Sequence, residues 1–552
     1  MMKQDWWKKK VAYQIYPKSF QDSNGDGIGD LPGIISRLDY LKELGIDIIW
    51  ISPIYQSPMV DQGYDISDYQ SIDPCFGDME DMRHLVDEVK KRDMYLLMDL
   101  VVNHCSDQHP WFQEAIRDPF GKYGNYFYIE KKSDKIPNNW RSQFGGSVWE
   151  PLPGHKDLYY LHTFAKEQPD LNWENPDLRE EIYRMVNWWL DFGIDGFRID
   201  AIMNIKKNIA WDNYPADRSD GLVSVSKMLK ETTGIGEFLG ELKRRCFEPH
   251  NALTVGEVFD PTGERTEEFI GEEGYFSTMF FFDPIVPFLH DGLETRLQTF
   301  DVKIWRDIIF RKQKQGFFAN VIENHDQPRG ASLLIPEGDY SFYSVSALGS
   351  INLLLRGLPF LYQGQEIGMT NTVFSSLDDF DDTAVGDQYK EAIDFGYTPE
   401  EAFAFVSRYG RDNARTPVQW TDGEQAGFTT GIPWQKVNPN YKEINVEAQK
   451  KEYGSILNFY RRLIAFRKSE QYGDLFAYGD MNAKYESEDT IFAFERSYND
   501  QRILFLCNYS ADKKKLELEE QGNVIFVNYP QTTFEGNAIC LKPYEVVVLD
   551  LT

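Results

Sequence analysis

A chain of 552 residues carrying a net charge of -30 is long enough to bury a substantial core, and it is too acidic for nucleic acid or anionic membrane surfaces, which need basic patches. Five scattered cysteines (Cys75, Cys105, Cys246, Cys507, Cys540), odd in number and in no metal-ligand spacing, read as reduced thiols. No stretch approaches the ~20 apolar residues of a membrane span, and the opening MMKQDWWKKKVAYQIYP offers no run for a signal peptide, so the expectation is a cytoplasmic protein with no membrane partner.

The length suggests several domain-sized units or one large barrel with appendages. VAYQIYP (Val11 to Pro17) and DIIWISPI (Asp47 to Ile54) are apolar runs suited to a sheet buried on both faces. Between them LPGIISRLDYLKELG has helical spacing and stops at Gly45. Asp78 is placed to cap a helix whose apolar face is Met82, Leu85, Val86 and Val89, and YLLMDLVV (Tyr95 to Val102) follows as a third strand. Repeated strand–helix units of this kind imply a parallel sheet.

From 105 to 170 the rhythm breaks into a segment rich in Trp, Tyr, Phe, Gly and Pro. A structureless loop of that size is uncommon in a compact domain, so it reads as an inserted subdomain. Asn175-Pro176 then opens a helix closed by Gly193. Five more strand candidates follow: 195–200, LTVGEV, MFFFD, FFANVIEN and PFLYQGQE. Eight parallel strands with intervening helices make a (β/α)8 barrel, in two parts (1–104 and 171–474) around the insert. Residues 370–450 read as an irregular acidic excursion after the eighth strand, and a helix is expected from Val446 to Lys468. The last part, 475–552, has the short alternating strands of an all-β domain.

Four of the barrel strands end abruptly in ionisable residues: DLVVNH (Asp99 to His104), DGFRIDAI (Asp195 to Ile202), TVGEVF (Thr254 to Phe259) and VIENHD (Val321 to Asp326). Period-2 alternation puts Arg198 and Asp200 on one face, where the cation can hold the acid ionised. Strand ends gather at one mouth of such a barrel, so Asp200, Glu257 and Asp326 would meet there. One ionised and one protonated carboxyl about 5–5.5 Å apart is what retaining glycoside hydrolysis needs. An aromatic content of 15% also suits a cleft that stacks sugar rings.

DLVVNH, GFRID, GEV and NHD, in that order, resemble the ordered blocks of the α-amylase family of glycoside hydrolases. QPDLN (168–172), DQGYD (61–65) and GRDNARTPVQW (410–420) resemble its oligo-1,6-glucosidase and α-glucosidase branch. The resemblance spans about Trp6 to the terminal β domain. It implies Asp200 as nucleophile, Glu257 as general acid/base and Asp326 as a third acid gripping sugar hydroxyls. It implies that Asp61, Tyr64, His104, Arg198, His325 and Arg411 line the non-reducing glucose subsite, with Phe144, Phe164 and Gln168 as walls and Arg415 as an alternative to Arg411. The expected enzyme is a retaining, exo-acting α-glucosidase on short oligosaccharides, a monomer or small homo-oligomer with no organic cofactor. The aromatics of the insert and of 370–450 are expected to wall its pocket.

Asp22, Asn24, Asp26, the Ile28 carbonyl and Asp30 alternate with turn-forming glycines, as at the start of an EF-hand loop, although Gly33 holds the twelfth position. Oxygen donors suit a hard cation, and the family branch carries a structural Ca²⁺ there; an Asx-rich turn without metal is the other reading. Specificity is open at two places. Ala201 follows the nucleophile where α-1,6-specific relatives usually have Val, which points to tolerance of α-1,4 bonds, and GEVFDPTGE departs from the GEMPG-like sequence of that branch. Sucrose-directed, trehalose-6-phosphate-directed and transglycosylating or isomerising activities share the scaffold. The phosphate-directed one would need a clamp, for which Lys206, Lys207, Arg244 and Arg245 are candidates. A non-catalytic family member would be expected to have a membrane span and an eroded triad, neither of which the sequence has.

Overall fold

The computed structural model describes residues 5–131, 136–259, 265–285, 287 and 300–552. The Asp260–Glu264 part of GEVFDPTGE and the first four residues lie outside them.

Eight parallel strands make up the barrel: β1 (Ala12–Ile15), β2 (Ile48–Ile51), β3 (Tyr95–Val101), β4 (Gly196–Asp200), β5 (Leu253–Gly256), β6 (Thr278–Met279), β7 (Ala319–Asn320) and β8 (Leu358–Tyr362). Neighbours pair in sequence order, β8 returns to β1, and a parallel bridge from Phe280 to Ala319 closes the ring between β6 and β7. β7 is much shorter than the FFANVIEN run that suggested it.

Alternation along the strands explains both the core and the site. Ala12, Ile48, Trp50, Leu97, Leu253, Val255, Phe280, Phe282, Ala319, Val321, Leu358 and Phe360 form one buried cluster, the barrel interior. Counting on by two along the same face reaches Gln14, Asp99 and Glu257, β4 puts Arg198 and Asp200 there, and the segment after β7 brings His325 against Gln14 and Trp50. The inward face is thus apolar below and polar at the C-terminal mouth. β4 begins with Gly196 because a Cβ there would lie 1.9 Å from the Leu253 carbonyl oxygen of β5.

The helices follow their caps. Asp78 and Asp81 form a capping box on Met79–Lys91, and Asn175 and Gly193 bound Pro176–Phe192. The single helix expected over LPGIISRLDYLKELG breaks at Arg37, whose guanidinium lies over Trp420 and bonds to Gln21. The expected 446–468 helix is likewise two, Val446–Lys451 and Ile456–Arg467, because Ser455 caps the second anew.

After β3 comes a three-stranded antiparallel sheet, Ile129–Lys131, Leu158–Leu161 and Trp149–Pro151. It is completed by the loop after β4. Val223–Ser224 pairs with Trp140–Arg141, and Val223, Val225 and Met228 share a core with Tyr128, Trp140, Val148, Trp149 and Leu161. Tyr128, Trp140 and Trp149 of the insert are therefore core here, and Phe112, Tyr126, Phe127 and Tyr160 are buried in the main core, so most of its aromatics are not sugar platforms. The 370–450 excursion is less irregular than expected: it holds the helices Ala384–Asp394 and Pro399–Tyr409, the second started by a Thr398–Glu401 capping box. The chain ends in a five-stranded antiparallel sheet (Asp480–Lys484, Ile491–Tyr498, Gln501–Asn508, Val546–Asp550, Asn523–Val527) and a three-stranded one (Lys514–Glu517, Ala538–Leu541, Thr533–Glu535). Among the described residues no helix is long and apolar enough to cross a membrane.

Candidate active site

The centre of the mouth is Arg198, whose side chain has no exposed surface. Its Nη1 donates to Asp99 Oδ1 at 2.9 Å and to Asp200 Oδ1 at 2.5 Å, and its Nη2 lies 2.8 Å from Glu257 Oε1. Three carboxyls from three strands thus share one guanidinium. Burial pushes the Asp99 carboxyl up to about 6 against the pull of Arg198, and it raises Asp200 well above the ordinary range, with Glu257 and Asp99 adding to the effect. Arg198 itself is held charged: burial opposes its charge, but Asp99 and Glu257 outweigh that cost.

The residue after Asp200 completes the link to Glu257. Ala201 has a left-handed backbone (φ +42°, ψ +33°), uncommon for a residue with a Cβ. Its N–H donates to Glu257 Oε2 at 2.8 Å, so the two predicted catalytic carboxyls are tied through both a guanidinium and a peptide.

His325 sits between the strands. Gln14 Nε2 donates to its Nδ1 at 2.8 Å, so the ring proton is on Nε2, 2.6 Å from Tyr64 Oη and 3.1 Å from Asp326 Oδ2. The Tyr64 hydroxyl in turn donates to Asp99 Oδ2 (3.1 Å), which also accepts from Trp50 Nε1 (3.2 Å). Burial drops the imidazole to about 3, so it is neutral.

Asp326 is the most open of the acids, with 34% of its side chain exposed. Both candidate arginines reach it: Arg411 Nη1 at 3.2 Å and Arg415 Nη2 at 3.1 Å, each to Oδ1. Burial would raise its carboxyl, but the Arg411 and Arg415 guanidiniums pull it well below the usual range. Arg411 is in turn clamped by Asp382 from the excursion after β8 and lies 3.7 Å from Asp61. Asp61 is buried enough to rise to about 6 despite Arg411 and Arg415.

On the opposite wall, Gln168 Nε2 is 3.1 Å from both Asp61 Oδ2 and His104 Nε2. Burial lowers His104 to about 4. Phe164 packs on His104 (5.1 Å between ring centres) and on Phe144 (5.8 Å), and the Arg411 guanidinium lies 5.5 Å from the Phe144 ring. All twelve residues expected at the mouth therefore belong to one contact network.

The phosphate-clamp candidates do not gather. Lys206 pairs with Glu174, Lys207 with Asp170 and Arg245 with Glu180, while Arg244 is exposed. The Asp22–Asp30 loop is wound by its own side chains. Asp22 accepts from the amides of Asn24, Gly25 and Gly27 and from the Thr429 hydroxyl; Asn24 and Asp26 each accept from the amide two residues on. Asp30 caps the helix that follows and accepts from Ser23. The donors suit a hard cation in type and order, but among the described residues no three acidic, His or Cys side chains converge as metal ligands.

Sequence reasoning missed Asp382, hidden in an acidic segment (DDFDD) with no periodicity to rank one carboxylate over another. It also missed Gln14, for which a signal existed: a lone amide in the apolar run VAYQIYP.

The alpha-amylase catalytic domain model matches residues 14–475, and the C-terminal domain model of the alpha-amylase SusG matches 491–548. The oligo-1,6-glucosidase of Halalkalibacterium halodurans is 44% identical over 99% of both chains, and that of Bacillus cereus is 41% identical over 100% of both. Among solved structures, the isomaltulose synthase of Protaminobacter rubrum superposes with a TM-score of 0.93 at 36% identity, covering 99% of each chain. The barrel, its mouth and these likenesses together show that the chain belongs to the α-amylase family of glycoside hydrolases.

Proposed function

We propose that this protein is a retaining, exo-acting α-glucosidase that releases glucose from the non-reducing end of short α-glucosides, isomalto-oligosaccharides first. The observation that carries the reading is the sharing of Arg198 by Asp200 and Glu257. Two carboxyls gripped by the two ends of one guanidinium are kept near each other, as double displacement requires, rather than apart around a water. Three carboxyls against one cation also favour retention of a proton within the cluster, and a general acid needs that proton.

In this reading the proton that the cluster retains on the raised Asp200 carboxyl passes to Glu257 when substrate binds, so that ionised Asp200 attacks the anomeric carbon while Glu257 protonates the leaving oxygen. Glu257 then takes a proton from the water that hydrolyses the glycosyl-enzyme. Asp326, kept ionised by Arg411 and Arg415, accepts sugar hydroxyls, and neutral His325 holds Asp326 and Tyr64 in place through its Nε2–H. Asp61, Gln168 and His104 supply the wall opposite. The oligo-1,6-glucosidase relatives support the α-1,6 preference, and the paired lysines count against a phosphorylated substrate.

Glucose release from isomaltose, maltose, sucrose and trehalose 6-phosphate, measured in parallel, tests this. Isomaltose should lead. A lead for maltose or sucrose would replace the α-1,6 preference by a broader one, and no glucose from any of the four would remove the hydrolase reading.

We further propose a structural Ca²⁺ at the Asp22–Asp30 loop, supported by its oxygen donors at alternate positions, and a reducing, cytoplasmic setting, supported by five free cysteines. A chelator should then lower Tm with little effect on turnover at room temperature, and metal analysis of the purified protein should find calcium. A metal-free protein with an unchanged Tm would leave the loop as an Asx-rich turn.

A further inference from the structure

Lys207 lies seven residues beyond Asp200, in a sequence that offered it only as a phosphate-clamp candidate. Its ammonium is instead enclosed, with no exposed side-chain surface, as is that of its partner Asp170. Nζ is 2.7 Å from Asp170 Oδ2, donates to Asn103 Oδ1 at 2.8 Å, and donates to the Asn204 carbonyl. Three N–H donors thus meet three oxygens from three segments: the end of β3, the segment returning from the insert, and the turn after β4. Asp170 is otherwise satisfied by the Thr163 amide (3.0 Å) and hydroxyl and by Asn103 Nδ2 (3.3 Å).

The consequence falls on His104. Because the ammonium takes the oxygen end of the Asn103 amide, its Nδ2 end must face His104, whose Nδ1 lies 3.1 Å away. That nitrogen therefore accepts, and the ring proton is forced onto Nε2, which donates to the Tyr64 carbonyl (3.2 Å); the Gln168 amide nitrogen beside it is also a donor and is held by Asp61 instead. At its other end the ammonium holds the Ile202–Ile205 turn through Asn204. That turn is continuous with Ala201, whose N–H holds Glu257.

We propose that Lys207 is a positioning residue of this active site. Its buried ammonium acts as an internal cation that selects the donor edge of His104 and pins the turn that presents the Ala201 amide to Glu257. The proposal rests on the hydrolase reading above. An ammonium is suited to the role because its three protons satisfy a tripod of oxygens, whereas a neutral side chain would leave Asp170 buried and unpaired.

Two variants test it. Lys207→Met combined with Asp170→Asn removes both charges and so avoids a stranded carboxylate. Asn103→Asp keeps the Lys207 partner but puts an acceptor in front of His104 Nδ1. Each should remain folded, by circular dichroism and a cooperative thermal transition. Each should lose at least tenfold in kcat with KM changed less than threefold, and at least tenfold in affinity for a basic iminosugar mimic of the charged transition state, measured by calorimetry. Folded variants with wild-type kcat and iminosugar affinity, or with only a lowered Tm, would overturn the role of Lys207. A wild-type protein that releases no glucose would overturn the hydrolase reading instead, and the iminosugar comparison would still decide the positioning role.

Discussion

Arg411 meets Asp382 with two nitrogens at once, Nε at 2.9 Å from Oδ2 and Nη2 at 2.6 Å from Oδ1, and still reaches Asp326 with the third. A bidentate clamp of this kind fixes the plane of the guanidinium as well as its position. Asp382 comes from the excursion after β8 and Asp326 from the end of β7, so Arg411 fastens the excursion to the mouth. Asp382→Asn should therefore cut kcat/KM by about 10- to 100-fold, which corresponds to roughly 1.4–2.8 kcal/mol of transition-state stabilisation. Steady-state kinetics on the preferred disaccharide would check it, and an unchanged kcat/KM would show that Arg411 holds its place without the clamp.

That same pair has a pH signature. Burial raises the Asp382 carboxyl, but Arg411 outweighs it and brings it down to about 2. A carboxyl lowered on folding adds stability that is fully present above its unfolded value near 4 and is lost as pH falls towards 2. The Tm gap between wild type and Asp382→Asn should be widest near neutrality and shrink below pH 4.

Asp200→Asn and Glu257→Gln keep the size of each side chain and remove its charge or its proton. The first should abolish turnover with the fold intact. The second should spare the first step on substrates with a good leaving group, which needs no proton. Their leaving group should then appear as a burst before slow hydrolysis of the glycosyl-enzyme, and the natural substrates should be lost at the first step. Substantial hydrolysis by Asp200→Asn would remove the nucleophile assignment, and equal losses in the first-step rate on both substrate types would remove Glu257 from the acid role.

Ala201→Val places a β-branched side chain where φ is +42°. The backbone strain costs on the order of 1–3 kcal/mol, and the added methyls crowd the space beside Asp200. We expect a lower Tm and a higher ratio of isomaltose to maltose turnover. A ratio that does not move would exclude position 201 as a specificity determinant.

Glu323 lies just beyond β7, 3% exposed, beside Arg329 and the Gly330 amide. Burial pushes it from 4.5 up to about 7, against Arg329 and the Gly330 amide. Its folded value exceeds its unfolded one, so the folded state binds the extra proton between about pH 4.5 and 7, and stability falls as pH rises through that window. Glu323→Gln should remove a loss on the order of 3 kcal/mol across it. Denaturant unfolding at pH 5 and pH 7.5 would show this as a flatter profile; identical profiles would place the titration elsewhere.

The strand ends were legible because the period-2 rule is local. Asp99, Arg198, Asp200 and Glu257 each follow an apolar run and fall on its inward face, so the ordered motifs and the barrel arithmetic indicate where they converge. The 105–170 segment was legible as a unit but not as a composition: its core takes Val223, Val225 and Met228 from the loop after β4. No local pattern links those residues to Trp140. Likewise, one helix was expected where Arg37 and Ser455 each begin a new one, because a tertiary partner or a fresh cap overrides continuous spacing.

By itself, then, the sequence determined the alternating strand–helix order, the acids at the barrel mouth and the family they resemble. All of these follow from the chemistry of neighbouring residues. Only the tertiary structure decided that Asp382 clamps Arg411, that both Arg411 and Arg415 serve Asp326, and that Lys207 is an enclosed cation rather than part of a phosphate clamp. Each of these is a charge pairing between segments distant in the chain. Burial makes such pairing strong, and the partner becomes known only when the fold has brought the segments together.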